Sequence, residues 1–163
     1  MSDSAANGSR NGERIIEDAN KAQARSFLAA ASTGDIATIE TLFAPDLVYQ
    51  VMGSLPISGQ FERASMIKLI SAMFAIFPTG LHFTIDAMIA EGETVMATVR
   101  GEALTASGTT YHNNYVWVLT YRDGLLYRAQ EYYDTKAAET MLLGNRPPGD
   151  ASAEASALER GAP

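Results

Sequence analysis

An α+β fold, with helices packed into a curved and mainly antiparallel sheet, is the class this sequence predicts. In the first half, apolar residues recur at helical spacing in two segments; the second half carries four strand-like runs joined by glycine turns. The last two runs, rich in Tyr, Val, Trp and Leu, meet at Arg122-Asp123-Gly124, where an Asp-Gly pair supplies the positive backbone dihedrals of a tight hairpin. Helices first and strands afterwards describe a sheet that wraps the helices.

Ile15, Ile16, Ala19, Ala22, Phe27 and Ala30 give a first helix ending near residues 32–34, and a short second helix follows over 35–43. Pro45 breaks the chain, and residues 47–52 read as a short strand. From 62 to 77, Met66, Ile70, Met73, Phe74 and Phe77 form one apolar helical face that stops just before Pro78. That stripe is most simply core packing, with Phe74 as a candidate pocket wall. Strands follow over 81–90, 93–104, 109–122 and 125–134, with turns at Glu91-Gly92, Ser107-Gly108 and Asp123-Gly124. A last helix over 135–143 ends at Gly144, a suitable C-terminal cap. Residues 1–12 and 145–163 are too polar or too small to offset their ordering entropy and are expected to be disordered, leaving one domain over 13–144.

Composition narrows the chemistry. Of 163 residues 47% are apolar, enough for one real core, yet no apolar run is long enough to span a bilayer. The N-terminus MSDSAANGSRNGER has no hydrophobic signal region, so a soluble cytoplasmic protein is expected. Without any cysteine, thiolate catalysis and cysteine metal sites are excluded. A net charge of −7 with no basic stripe argues against nucleic acid as a partner. The two histidines, His82 and His112, lack a metal-ligand spacing, and no glycine-rich phosphate loop follows a strand, so neither metal nor nucleotide cofactor is expected.

Candidate chemistry comes from strand periodicity. Met96, Thr98, Arg100, Glu102 and Leu104 share one face of their strand, and Leu126, Arg128, Gln130, Tyr132 and Asp134 share one face of the last. If both faces line the cavity of a curved sheet, Asp134 and Glu102 flank Arg100. Two carboxyls sharing one cation titrate in coupled steps, giving one acid and one base near neutrality. A structural ion pair is the other reading of the same three residues.

The segment Phe43-Ala-Pro-Asp-Leu-Val-Tyr49 after two helices, and Glu131-Tyr-Tyr-Asp134 before a final helix, resemble the nuclear transport factor 2-like superfamily. SnoaL-like polyketide cyclases, ketosteroid isomerases and limonene epoxide hydrolases belong there. The resemblance implies a cone-shaped, cystatin-like α+β roll whose strongly curved mixed sheet encloses an apolar pocket, no cofactor, and a homodimer. Against ketosteroid isomerase, Gln50 stands where the base aspartate is expected, Phe27 where the oxyanion-hole tyrosine is, and Tyr115 or Val116 where the partner acid is. Limonene epoxide hydrolase matches at Arg100-Gly101-Glu102, at Asp134 and at Tyr49. That resemblance implies that Asp134 deprotonates water, Glu102 protonates the opening oxygen and Arg100 holds both. Here Glu102 is one methylene longer than the family's Asp, and Val51 replaces a water-holding Asn.

The resulting expectation is a cofactor-independent lyase, isomerase or cyclase acting on an apolar, oxygenated, aromatic or cyclic small molecule. The superfamily includes lyases of lignin-derived aryl diols, and the aromatic residues here suit such a substrate. An epoxide hydrolase is the first alternative; a non-catalytic carrier or dimerisation module is the second. Tyr132 is a candidate donor beside Asp134. Asn113, Tyr115 and Trp117 share a strand face opposite His112, and a gap-free comparison with the epoxide hydrolases turns them inward, whereas a one-residue bulge would turn them out. His82 shares a face with Asp86, which could orient its imidazole.

Overall fold

A computed structural model of the chain describes residues 3–143. Helix α1 (Asp3–Thr33) is followed by α2 (Ile36–Leu42), β1 (Phe43–Val51), β2 (Gly59–Glu62), α3 (Arg63–Ile76), β3 (His82–Glu91), β4 (Thr94–Leu104), β5 (Thr110–Arg122), β6 (Leu125–Tyr133) and α4 (Thr135–Leu143). The six strands form one sheet in the order β2-β1-β6-β5-β4-β3. Every neighbouring pair is antiparallel except β1 with β6, so the sheet is mixed and the fold is the α+β class that the sequence predicts.

Local chemistry accounts for most boundaries. Asp35 caps α2 by accepting from the Thr38 backbone N–H at 3.1 Å. The β5–β6 hairpin turns at Asp123 (φ 53°) and Gly124 (φ 75°), the positive dihedrals expected of that pair. Three boundaries differ from the sequence reading. Helix α1 begins at Asp3, well before apolar periodicity starts at Ile15. Strand β1 begins at Phe43 and carries Pro45 within it, and the four-residue β2, too short for periodicity to register, pairs with β1. The expected Gly144 cap and disordered tail lie outside the described residues.

The inner face of the sheet carries Val95, Ala97, Val99, Trp117, Leu119 and Tyr49, all buried, against Ala24, Phe27 and Leu28 of α1 and Met66 and Ile70 of α3. Two bulges bend the sheet around these helices. Asp86 is the extra residue between Ile85 and Ala87 of β3, and Tyr127 the extra one between Leu126 and Arg128 of β6. Each bulge inverts which side chains face inward beyond it. No helix among the described residues is long and apolar enough to cross a membrane.

Candidate functional site

Between α1, α3 and the concave face of the sheet lies a cavity of about 110 Å³. Phe27, Met66, Ile70, Phe74 and Phe83 supply much of its apolar wall, and Glu131 is the only carboxyl group among the lining residues. No lining residue is Lys, Arg or His. Glu131 reaches the cavity because β6 leaves its bulge with Arg128 and Gln130 outward and Ala129, Glu131 and Tyr133 inward.

Hydrogen bonds fix this carboxyl from one side. Trp117 donates its indole Nε1–H to the Tyr49 hydroxyl at 2.7 Å, and Tyr49 donates to Glu131 Oε2 at 2.8 Å. An indole nitrogen only donates and an ionised carboxylate only accepts, so the chain runs from Trp117 through Tyr49 to the Glu131 carboxylate. Burial without a compensating cation pushes the Glu131 carboxyl above the ordinary glutamate range, with hydrogen bonding by Tyr49 and Trp117 pulling the other way. Burial and the neighbouring Glu131 charge drive the Tyr49 phenol well up, so Tyr49 stays a neutral donor. With Oε2 engaged, Oε1 is the carboxylate oxygen left for a ligand.

A second polar group lines the same cavity. The hydroxyls of Tyr111 and Tyr115 lie 3.1 Å apart, and Asn113 donates to Tyr111 at 2.6 Å. Tyr115 stacks on Trp117 with ring centroids 4.8 Å apart, and burial holds its phenol far above the ordinary range. Gly101 on β4 makes room for this ring: a Cβ there would stand 2.7 Å from Cε2 of Tyr115. Tyr133 completes the polar lining, its hydroxyl 3.2 Å from Ser58 Oγ. The cavity thus offers one poised carboxyl and several neutral donors in apolar surroundings, a set suited to moving a proton and steadying the charge left behind.

The residues singled out in the sequence divide cleanly. Tyr49, Tyr115, Trp117, Phe27 and Phe74 line the cavity; Asn113 is buried directly behind Tyr111. Arg100, Glu102 and Asp134 are not brought together. Arg100 lies on the outer face and grips Asp86, with Nη2 2.8 Å from Oδ1 and Nε 2.9 Å from the same oxygen. Glu102 faces His112 at 3.5 Å on that outer face, both side chains being more than half exposed. Asp134 caps α4, accepting from the backbone N–H groups of Lys136 (2.9 Å) and Ala137 (3.1 Å). His82 is exposed opposite Glu102 and without Asp86, which Arg100 holds; Tyr132 is 41% exposed.

These placements correct the assignment of strand faces. The loop 105–109 pairs Leu104 with Thr110, so Arg100 is opposite Asn114 and Glu102 opposite His112. Directly opposed residues share a face, and the inward face of Asn113, Tyr115 and Trp117 therefore takes Gly101, Val99 and Ala97 with it. Replacing Arg100 by Met is accordingly expected to change turnover by no more than about twofold, against the roughly 10²–10⁴-fold loss that removal of an acid–base group brings. Steady-state kinetics of the two proteins side by side checks this.

Among known proteins, the profile of the SnoaL-like domain matches residues 24–129, more than half of the chain. No curated protein matches. Solved structures do. A protein of unknown function with a cystatin-like fold from Xanthomonas campestris aligns with TM-score 0.67 and 22% identity, over 75% of this chain and 96% of that one. An epoxide hydrolase of the limonene type from M. tuberculosis aligns with TM-score 0.66 and 19% identity, over 78% and 91%. A protein from Jannaschia sp. CCS1 described as a SnoaL-like polyketide cyclase gives TM-score 0.66 and 18% identity, over 82% and 96%. At such identities the likeness is one of fold.

Proposed function

For a chain that belongs to the SnoaL-like domain family, we propose a cofactor-independent acid–base enzyme of the isomerase or cyclase type, with Glu131 as the group that moves the proton. The observation that carries this reading is a lone carboxyl lining an apolar cavity without a cation, held by Tyr49 and displaced upward in pKa by burial. A base is most effective when its pKa lies near the working pH, and burial moves Glu131 in that direction.

In the proposed reaction, the Glu131 carboxylate takes a proton from carbon next to a carbonyl of an apolar, cyclic or aromatic substrate. The electron pair of the broken C–H bond moves to the carbonyl oxygen, which Tyr115 steadies by hydrogen bonding. Where a C=C lies β,γ to that carbonyl, the electron pair returns from the oxygen through the conjugated system, the Glu131 acid protonates the γ carbon and the double bond moves to the α,β position, completing an isomerisation. Attack of the enolate carbon on a second carbonyl of the same molecule, with protonation of the new alkoxide by the Glu131 acid, completes a cyclisation. A two-carboxylate epoxide opening is less supported, since Glu102 and Asp134 both lie outside the cavity lining.

The test is proton exchange in deuterium oxide over a panel of cyclic and aryl ketones, with aryl epoxides in oxygen-18 water alongside. Deuterium entering beside the carbonyl with native protein, and not with Glu131→Gln, supports the reading. Labelled diol from the epoxides, or ligand binding without any exchange, would replace it with hydrolysis or carriage.

We also propose that two copies pair through the outer face of the sheet. Ile89, Met96 and Val118 stand in register across β3, β4 and β5, and Ile89 and Met96 are 66% and 41% exposed. Met96→Lys is expected to shift native dimers to monomers in sedimentation velocity; an unchanged sedimentation coefficient would move the contact elsewhere.

A further inference from the structure

Asn113 is 4% exposed, lies outside the cavity lining, and has every polar atom engaged. Its Oδ1 accepts from two backbone N–H groups, those of Asn114 (2.7 Å) and Asp134 (2.9 Å). Only an oxygen can accept from them, so the amide has one orientation and its Nδ2 is the atom that meets Tyr111. Nδ2 donates one hydrogen to the Asp134 carbonyl at 3.0 Å and the other to the Tyr111 hydroxyl at 2.6 Å.

An amide nitrogen cannot accept, so the Tyr111 oxygen receives and its own proton must go elsewhere. Among the described residues the partner in reach is the Tyr115 hydroxyl at 3.1 Å. If Tyr115 donated instead, the Tyr111 oxygen would accept twice and the Tyr115 oxygen not at all, whereas with Tyr111 as donor each phenol oxygen accepts once and the one proton left over is that of Tyr115. The even sharing of acceptors favours links that run one way, from backbone through Asn113 and Tyr111 to Tyr115.

We infer that Asn113 is a positioning residue that sets the direction of the Tyr111–Tyr115 chain, so that Tyr115 presents its proton, and not its lone pair, to the cavity. Two chains of fixed direction then end in one pocket. Trp117 and Tyr49 lead to Glu131, which offers an acceptor, while Asn113 and Tyr111 lead to Tyr115, which offers a donor. The ligand this pair selects has an oxygen acceptor on one side and an acidic hydrogen on the other. The significance of that pairing rests on the acid–base reading above, whereas the direction of the chain does not.

Hydroxyl-proton NMR on the full chain with ring-labelled tyrosine tests the direction without any substrate, signals being assigned with Tyr111→Phe and Tyr115→Phe. In the native protein the Tyr111 proton is expected to exchange with water about tenfold more slowly than that of Tyr115 and to show a contact to the Tyr115 ring. Asn113→Asp keeps the shape and the acceptor toward the backbone but has no hydrogen to give, so Tyr111 turns to donate to it and Tyr115 becomes the protected donor. Tyr111→Phe decides the matter even where Asn113→Asp fails to fold. Exchange of the Tyr115 proton is expected to stay unchanged in Tyr111→Phe; acceleration would mean that Tyr115 had been donating to Tyr111, and would overturn the inference. The expected exchange order without deuterium uptake into any ketone would keep the inference and remove the acid–base reading, and the opposite pair of results would do the reverse.

Discussion

Glu131→Gln is expected to lower turnover by roughly 10²–10⁴-fold while raising thermal stability at neutral pH. The two effects come from one physical cause. In the unfolded chain this carboxyl ionises at the ordinary glutamate value; in the folded protein burial lifts it, and Tyr49 offsets that only in part. Below the ordinary value both states hold the proton and burial carries no ionic penalty. Between the ordinary and the raised value the unfolded chain has lost the proton that the folded one keeps, so stability falls as pH rises. Above the raised value both states are ionised and the full penalty remains. An amide cannot ionise, and Tyr49 still has an oxygen to donate to. The melting advantage of Glu131→Gln should therefore be absent in acid, grow as pH passes above the ordinary glutamate value, and level off. Melting curves from pH 4 to 8 beside the pH–rate profile measure both, and under the proposed reaction the rate of the native protein should change over the same interval. A melting difference independent of pH would mean that Glu131 is not the displaced group.

Much of this was legible beforehand, and the part that was not has a local cause. The four-strand antiparallel meander and the Asp123-Gly124 hairpin follow from alternation and turn chemistry, and the inward face of Asn113, Tyr115 and Trp117 is the one that the gap-free comparison with the epoxide hydrolases implies. Continuing β6 without interruption from that hairpin would pair Trp117 with Gln130 and turn Gln130, Tyr132 and Asp134 inward. The bulge at Tyr127 adds one residue, pairs Trp117 with Glu131, and turns Glu131 and Tyr133 inward instead. Tyr127 is an ordinary strand residue, so composition gave no sign of it. For β4 a sign was present. Val95, Ala97, Val99, Gly101 and Ala103 are all apolar or small, and the opposite face carries Arg100 and Glu102. Matching Arg100-Gly101-Glu102 to a catalytic pattern placed that charged face inward against the alternation. The bulge at Asp86 lets its carboxylate reach Arg100, so the outward pair needs no buried site.

Gly80→Ala is expected to be the most destabilising glycine-to-alanine change among the described residues, costing about 3–5 kcal/mol and lowering the melting midpoint by roughly 10 °C. Gly80 has φ +87°, a region that L side chains rarely occupy, and a Cβ built there would lie 2.1 Å from the Ser32 carbonyl oxygen. That oxygen belongs to backbone at the end of α1, and no side-chain rotation relieves the contact. The same Ser32 accepts the Phe83 N–H through its hydroxyl at 3.2 Å, and the Gly80 N–H closes a turn on the Phe77 carbonyl at 2.9 Å. Moving Gly80 away would thus pull on the end of α1, the end of α3 and the start of β3 together, three walls of the cavity to which Gly80 itself contributes. Gly108→Ala separates the two contributions, because Gly108 also has a positive φ (+83°) but nothing within 4 Å of an added Cβ. It should cost only the backbone strain, about 1–2 kcal/mol. If the two variants melt together, the close approach at Ser32 relaxes freely and the α1–β3 junction is softer than its geometry implies; if Gly80→Ala melts far lower, that junction is what fixes the cavity wall to which Gly80 contributes.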